Sequence, residues 1–311
     1  MQSLISLTMM ISAPMMMMYT ESWMTNWMML EISSISFISL MKSNSMNEGM
    51  MIYFLTQSFG SMMILMSMME TNSSNTESTQ NKMMITLGIT IKLGMIPFHQ
   101  WFIKMGEMTT MKELMMLFTI QKAAPLIVLS WNPQNYMMMI IIMMSMMMSL
   151  FLQMSQTSMK MLLTYSSIFQ TSWISMISMI NIKILMMYYM IYSITLMMVM
   201  KEMKKTKTFF LTKQTKSFNI NLSINMVSMS GIPPLLGFIP KWMTLKMLIK
   251  EKSMMTLAMS MIIMSVVSFF IYFQIFFTMW MKKKSKFKPM KKMKPTSIMQ
   301  ILIPILTIVA L

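Results

Sequence analysis

Apolar windows long enough to span a membrane recur from one end of this 311-residue chain to the other, and nothing else about it constrains the fold as strongly. A helix rises about 1.5 Å per residue, so about 20 residues cross a hydrocarbon core about 30 Å thick. The connections between windows are short and hold most of the charge. Only 11% of the residues are charged and 55% are hydrophobic, whereas a soluble domain of this length carries about 25% charge. Barrel strands would alternate apolar and polar residues over about ten positions, and these windows do not alternate. The reading is an all-α membrane protein, a single polytopic transmembrane domain over residues 1–311.

Eleven spans are expected, at 2–19, 22–41, 50–69, 82–102, 112–131, 136–154, 160–180, 183–200, 218–243, 254–280 and 296–311. Eleven crossings put alternate loops on opposite sides, and the lysines test that count. Eighteen of the 26 lysines fall on one side, in loops around Lys42, Lys104, Lys112 and Lys160 and in the runs 201–216 and 282–294. Five fall on the other side, and Lys92, Lys122 and Lys241 remain in or near membrane depth. This is the positive-inside pattern, which places the N-terminus and the lysine-rich loops in the matrix or cytoplasm.

A net charge of +17 suggests nucleic acid, but the lysines sit between spans rather than on one soluble face, so no nucleic-acid partner is expected. Anionic lipid headgroups are the natural partner for the basic loops. The absence of Cys excludes disulfides and thiolate-held iron–sulfur clusters, and the one histidine, His99, cannot form a bis-His haem site. With 7 Gly and no phosphate-cradling motif, no cofactor is expected in this chain, and no metal. The 61 Met invite a metal or flexible-groove reading. Missing Arg, Asp and Cys point instead to an AT-rich organellar genome that reads ATA as Met, with Met acting as a packing and lipid-facing residue. A mitochondrial gene fits this, and no cleavable presequence precedes the first span.

Glu31, Lys92, Lys122 and Lys241 are the candidate functional residues. Lys92 and Lys122 stand at span centres, about 15 Å from water, beyond the reach of a lysine stem. Charge at that depth costs about 3 kcal/mol even on a lenient insertion scale, so such residues face a polar interior and mark ion or proton paths. Burial disfavours the charged form of an ionisable group and an opposite charge restores it. A Glu–Lys pair that forms and breaks therefore switches a lysine between holding and releasing its proton. The ordinary alternative is a static ion pair that holds helices together, and for Lys241, near a span end, an interfacial anchor.

Two spans are interrupted where these lysines lie. Pro97 in KLGMIPFHQW (92–101) deprives the carbonyl of Leu93 of its helical partner. Pro233, Pro234 and Pro240 in SGIPPLLGFIPKW (230–242) free the carbonyls of Met229, Ser230 and Leu236. Breaks persist in a bilayer only where protein or water satisfies the backbone again, and paired broken helices point to a midplane ion site. Ser166, Ser167, Gln170 and Thr171 form a polar stripe that serves either helix–helix hydrogen bonding or a water wire. His99 sits near a span end, where interfacial placement competes with a proton-relay role.

The stretches WMTNWMMLEISSISF (23–37), YFLTQ (53–57), KLGMIPFHQW, QKAAP (121–125), SQTSMK with YSSI, and GIPPLLGFIPKW (231–242) resemble a known family, chain 2 of mitochondrial NADH–ubiquinone oxidoreductase. The resemblance runs in family order from about residue 20 to residue 245. It implies an antiporter-like membrane-arm subunit of respiratory complex I in the inner mitochondrial membrane, eleven helices with two discontinuous, and proton translocation driven by quinone chemistry elsewhere. Flavin and iron–sulfur clusters would then belong to other subunits, and the partners are neighbouring membrane-arm subunits, inner-membrane lipids, protons and internal waters. Glu31 matches the family's helix-centred glutamate, Lys92 its partner on the first broken helix, Lys122 the central lysine and Lys241 the terminal residue on the second broken helix. Two positions depart from the pattern: Ile120 replaces an aromatic, and Gln170 replaces a histidine, so Gln170 can position water but cannot titrate near neutral pH. Beside this reading stand an independent cation–proton antiporter and a scaffold without ion traffic.

Overall fold

The computed structural model describes residues 2–20, 22–41, 47–74, 79–131, 136–206, 220–233, 235–251 and 254–281. Among them the chain forms helices and no strand: α1 (Gln2–Met17), α2 (Trp23–Leu40), α3 (Asn47–Ser74), α4 (Thr79–Leu93), α5 (Gln100–Met108), α6 (Met111–Phe118), α7 (Ile120–Trp131), α8 (Tyr136–Met154), α9 (Met159–Ser178), α10 (Ile182–Thr206), α11 (Ile220–Ser230), α12 (Phe238–Lys250) and α13 (Met255–Met281). Among the described residues, five stretches are long and apolar enough to cross a membrane: Glu48–Glu70, Met111–Trp131, Tyr136–Met154, Ile182–Lys205 and Met255–Phe277. The expected span 296–311, the basic run 282–294, Lys42 and Pro234 lie outside the described residues.

α3 shows how such a chain partitions its side chains. Met51, Leu55, Phe59, Met62, Met66 and Met69 recur every three or four residues and are exposed. Tyr53, Gln57, Ser61, Ile64 and Ser67 recur at the same period and are buried. The apolar stripe faces outward and the polar one inward, the reverse of a helix bathed in water, because lipid solvates Met and Leu but cannot hydrogen-bond Gln or Ser. Methionine serves both roles, with Met10, Met105 and Met138 fully buried.

Two compact units divide the chain. The first comprises Met1–Met148 with Ser167–Ile182, and the second Ser149–Ser166 with Lys183–Leu311. In the first, α2 packs between α1 and α3, α3 lies along α4 and α5, and α7 touches α1, α2, α4 and α6. Gly60 and Gly88 let α3 and α4 approach closely: a Cβ on Gly88 would stand 2.7 Å from the Gly60 carbonyl oxygen. In the second, α13 packs against α11 and α12.

Local chemistry sets the helix ends near the candidate residues. α4 stops after Leu93 because Gly94 adopts φ +67°, a left-handed conformation open to glycine and costly for other residues. α5 then continues to Met108, six residues past the expected span end at 102. Its exposed Lys104 and Glu107 make those six residues too polar for an apolar window. Glu113 accepts the Thr110 N–H at 2.9 Å, the reciprocal half of a capping box, and so fixes the start of α6. The expected span 112–131 matches the apolar stretch Met111–Trp131, which is built from two helices, α6 and α7. Thr119, at φ −108° and ψ −89°, leaves the helical region, and Lys122 therefore stands in the first turn of α7.

Candidate functional site

Glu31 is the ninth of the eighteen residues of α2, and its carboxylate meets the Lys92 ammonium at the end of α4. The Nζ–Oε1 separation is 3.7 Å, with the lysine side chain 2% and the glutamate side chain 21% exposed. This is an ion pair held just beyond hydrogen-bond distance, and Glu31 Oε1 is buried with no hydrogen-bond partner among the described residues. The indole of Trp101, on α5, donates to the carbonyl of Ile91 at 3.0 Å and ties the two sides of the Gly94 interruption together. Gln57 Nε2 reaches the Lys92 carbonyl at 3.5 Å.

Gln121 links three helices. Its amide donates to the Ser33 carbonyl on α2 at 2.8 Å, and its Oε1 accepts from the Tyr53 hydroxyl on α3 at 3.2 Å. The neighbouring Lys122 is 3% exposed. Its ammonium donates to the Ser167 carbonyl at 3.1 Å and lies 4.5 Å from the ring centre of Phe102 and 5.8 Å from that of Phe118. Aromatic faces and a carbonyl oxygen offer partial negative charge without a counter-ion. Among the described residues no carboxylate forms an ion pair with Lys122.

Lys241, in the second unit, is 4% exposed. Its ammonium donates to the Ser230 carbonyl at 2.6 Å, at the end of α11, where that oxygen has no further helical turn to bond. Gly231, at φ +83°, leaves room for the lysine stem: a Cβ there would lie 2.8 Å from Lys241 Cδ. The structure thus brings Glu31 and Lys92 together, places Lys122 in an aromatic pocket of the same unit, and buries Lys241 against a helix end in the other unit.

Of the remaining candidates, His99 is partly exposed, with Nδ1 3.1 Å from the Pro97 carbonyl oxygen. Every residue from Met161 to Met179 is buried, so the α9 stripe lies wholly inside the protein. Ser166 and Thr171 bond back to carbonyls three residues earlier, and Gln170 is 5% exposed. Among the described residues no group of His, Cys, Asp or Glu is placed to hold a metal ion. The sequence pointed to Ser167 only as part of the α9 polar stripe, and it did not single out Tyr53 or Phe102 as site residues. Tyr53 was open to discovery as the polar ring opening the YFLTQ segment, whereas the Ser167 contact uses a backbone carbonyl and leaves no trace in residue type.

The profile described as NADH:quinone oxidoreductase/Mrp antiporter, transmembrane, matches residues 20–268. The chain belongs to that family. Among its relatives, NADH-ubiquinone oxidoreductase chain 2 of Anopheles gambiae is 28% identical over 282 residues, 86% of this chain and 82% of the relative. The chain 2 protein of Sibirionetta formosa is 30% identical over 278 residues, 82% of this chain and 79% of the relative. Respiratory complex I from Thermus thermophilus with bound aureothin superposes with a TM-score of 0.73 at 16% identity, over 92% of this chain and 72% of the matched one. An archaeal membrane-bound sulfane sulfur reductase superposes with a TM-score of 0.75 at 16% identity, over 92% and 68%. The fold is therefore that of the antiporter-like membrane subunits.

Proposed function

We propose that this chain is a proton-translocating membrane-arm subunit of respiratory complex I, a multi-pass protein of the mitochondrial inner membrane. The observation that carries the reading is Lys122: an ammonium at the centre of a 21-residue apolar span, 3% exposed, held by a carbonyl and two rings and by no carboxylate among the described residues. Static ion pairing does not explain a lysine held that way, whereas a proton carrier needs one that can lose its charge without stranding a counter-ion. The chain 2 relatives support complex I over a free-standing antiporter.

In this reading Glu31 and Lys92 form a switchable pair, and Lys122 is the central proton carrier. Lys241, on the second of two discontinuous helices among eleven crossings, exchanges with the exit side. The lysine-rich loops face the matrix, where anionic lipids are natural neighbours. Redox chemistry belongs to flavin and iron–sulfur clusters in other subunits, and this chain joins the NADH:ubiquinone reductase as its proton-moving part through contacts with other membrane-arm subunits.

Lys122→Met keeps length and apolar packing while removing the proton site. In reconstituted complexes that assemble normally on native gels, it is expected to lower protons moved per electron pair or to block quinone turnover. Full pumping at normal turnover would sink the role of Lys122 and leave a scaffold.

A further inference from the structure

The turn of α7 that carries Lys122 has little helical bonding of its own. Upstream, the chain leaves the helical region at Thr119, so α6 does not run on into it. The Lys122 N–H bonds to the Thr119 carbonyl at 2.9 Å, three residues back rather than four. Downstream, Pro125 lies inside α7 and has no N–H to give the Gln121 carbonyl. What holds this turn is the side chain of Gln121, which donates to the Ser33 carbonyl on α2 at 2.8 Å and accepts from the Tyr53 hydroxyl on α3 at 3.2 Å. Both anchors are themselves fixed. Ser33 is buried well inside α2, and its carbonyl also takes the Ser36 hydroxyl at 2.8 Å. Tyr53 is buried between Phe37 and Trp101, with ring centres 5.2 Å and 5.7 Å from its own.

We propose that Gln121 is a positioning residue for Lys122: its two hydrogen bonds fix the rotation of α7 and so hold the ammonium in its place. Successive helical residues point about 100° apart, so Gln121 and Lys122 leave α7 in different directions. One reaches α2 and α3, the other the rings of Phe102 and Phe118 and the Ser167 carbonyl. The two side chains therefore share one setting of the helix about its axis. Side-chain tips lie about 5–6 Å from that axis, so a turn of about 20° moves them about 2 Å. Such a turn takes the ammonium out of hydrogen-bond range of the Ser167 carbonyl, now at 3.1 Å. Glutamine suits the task because its amide gives one donor and one acceptor on a long stem. Both bonds join neutral groups, so the hold does not depend on the charge of the lysine. The geometric part stands on these contacts, and its consequence for pumping rests on the function proposed above.

Assembled complexes carrying Gln121→Met test this, since methionine keeps the length and drops both hydrogen bonds. A map of that variant is expected to show the Lys122 ammonium moved away from the Ser167 carbonyl, and an ammonium still bonded there would overturn the proposal. The variant is expected to lose at least half of what Lys122→Met loses, in protons per electron pair or in turnover. A double-variant cycle separates positioning from plain structural support. Acting through the lysine, Gln121→Met adds nothing to Lys122→Met, whereas a further loss in the double variant would overturn the proposal. If Gln121→Met fails to assemble, Tyr53→Phe, which removes one of the two bonds, takes its place in the map and the cycle with the same overturning outcomes. Full pumping by Lys122→Met itself would sink the proton carrier and not the positioning, which the map then decides.

Discussion

Lys92 is paired at 3.7 Å with a carboxylate that keeps 21% of its surface, and this geometry predicts an asymmetric response to mutation. Removing one partner of a buried pair strands the other, at a cost of about 3 kcal/mol here, toward the low end because Glu31 is partly exposed. Glu31→Gln is therefore expected to lower the yield and thermal stability of the assembled complex, and adding Lys92→Met is expected to restore most of the loss. A double variant no more stable than the single one would show that the pair contributes nothing. Glu31, Lys92 and Lys122 could be singled out from the sequence, because charge inside an apolar window has few explanations. Their partners could not. Ser167 meets Lys122 through its backbone, and Gln121 joins Ser33 and Tyr53 across sequence separations of 88 and 68 residues, which no local pattern encodes.

At the scale of helices, apolar windows locate elements but not their interruptions when no proline or glycine marks them. α4 ends at Leu93, beside the glycine and proline of KLGMIPFHQW. Nothing in LFTIQK announced that Thr119 would separate α6 from α7, because threonine is tolerated in a buried helix and its hydroxyl bonds back to Met115. Glycine contacts between helices were equally silent. A Cβ on Gly88 would stand 2.7 Å from both the Gly60 carbonyl oxygen and Ile64 Cγ1, whereas one on Gly60 would meet Gly88 O at 3.0 Å and the yielding Lys92 Cγ at 3.1 Å. Gly88→Ala is thus expected to destabilise by about 1–3 kcal/mol through overpacking, and Gly60→Ala by less. Thermal melts of the purified complex would decide between them, and equal melting temperatures would show that α3 and α4 part without cost.

For the molecule as a whole, the class was legible because composition and span length leave no soluble alternative, while sidedness rests on lysine distribution. That can be checked cleanly, since the sequence has no cysteine to compete with an introduced one. Lys201→Cys should react with a membrane-impermeant maleimide from the matrix side and Lys183→Cys only from the opposite side; both labelling from one side would break the alternation. The Trp101–Ile91 bond across the Gly94 interruption bears on how quickly such a subunit can respond. It splints the joint, so that the backbone beside Lys92 is braced where a pivot would need slack. Side-chain rotations take picoseconds to nanoseconds, whereas hinge motions take microseconds to milliseconds. In the role proposed above, a signal arriving from a neighbouring subunit would take a fast route here, a reshuffling of charge along a stationary frame.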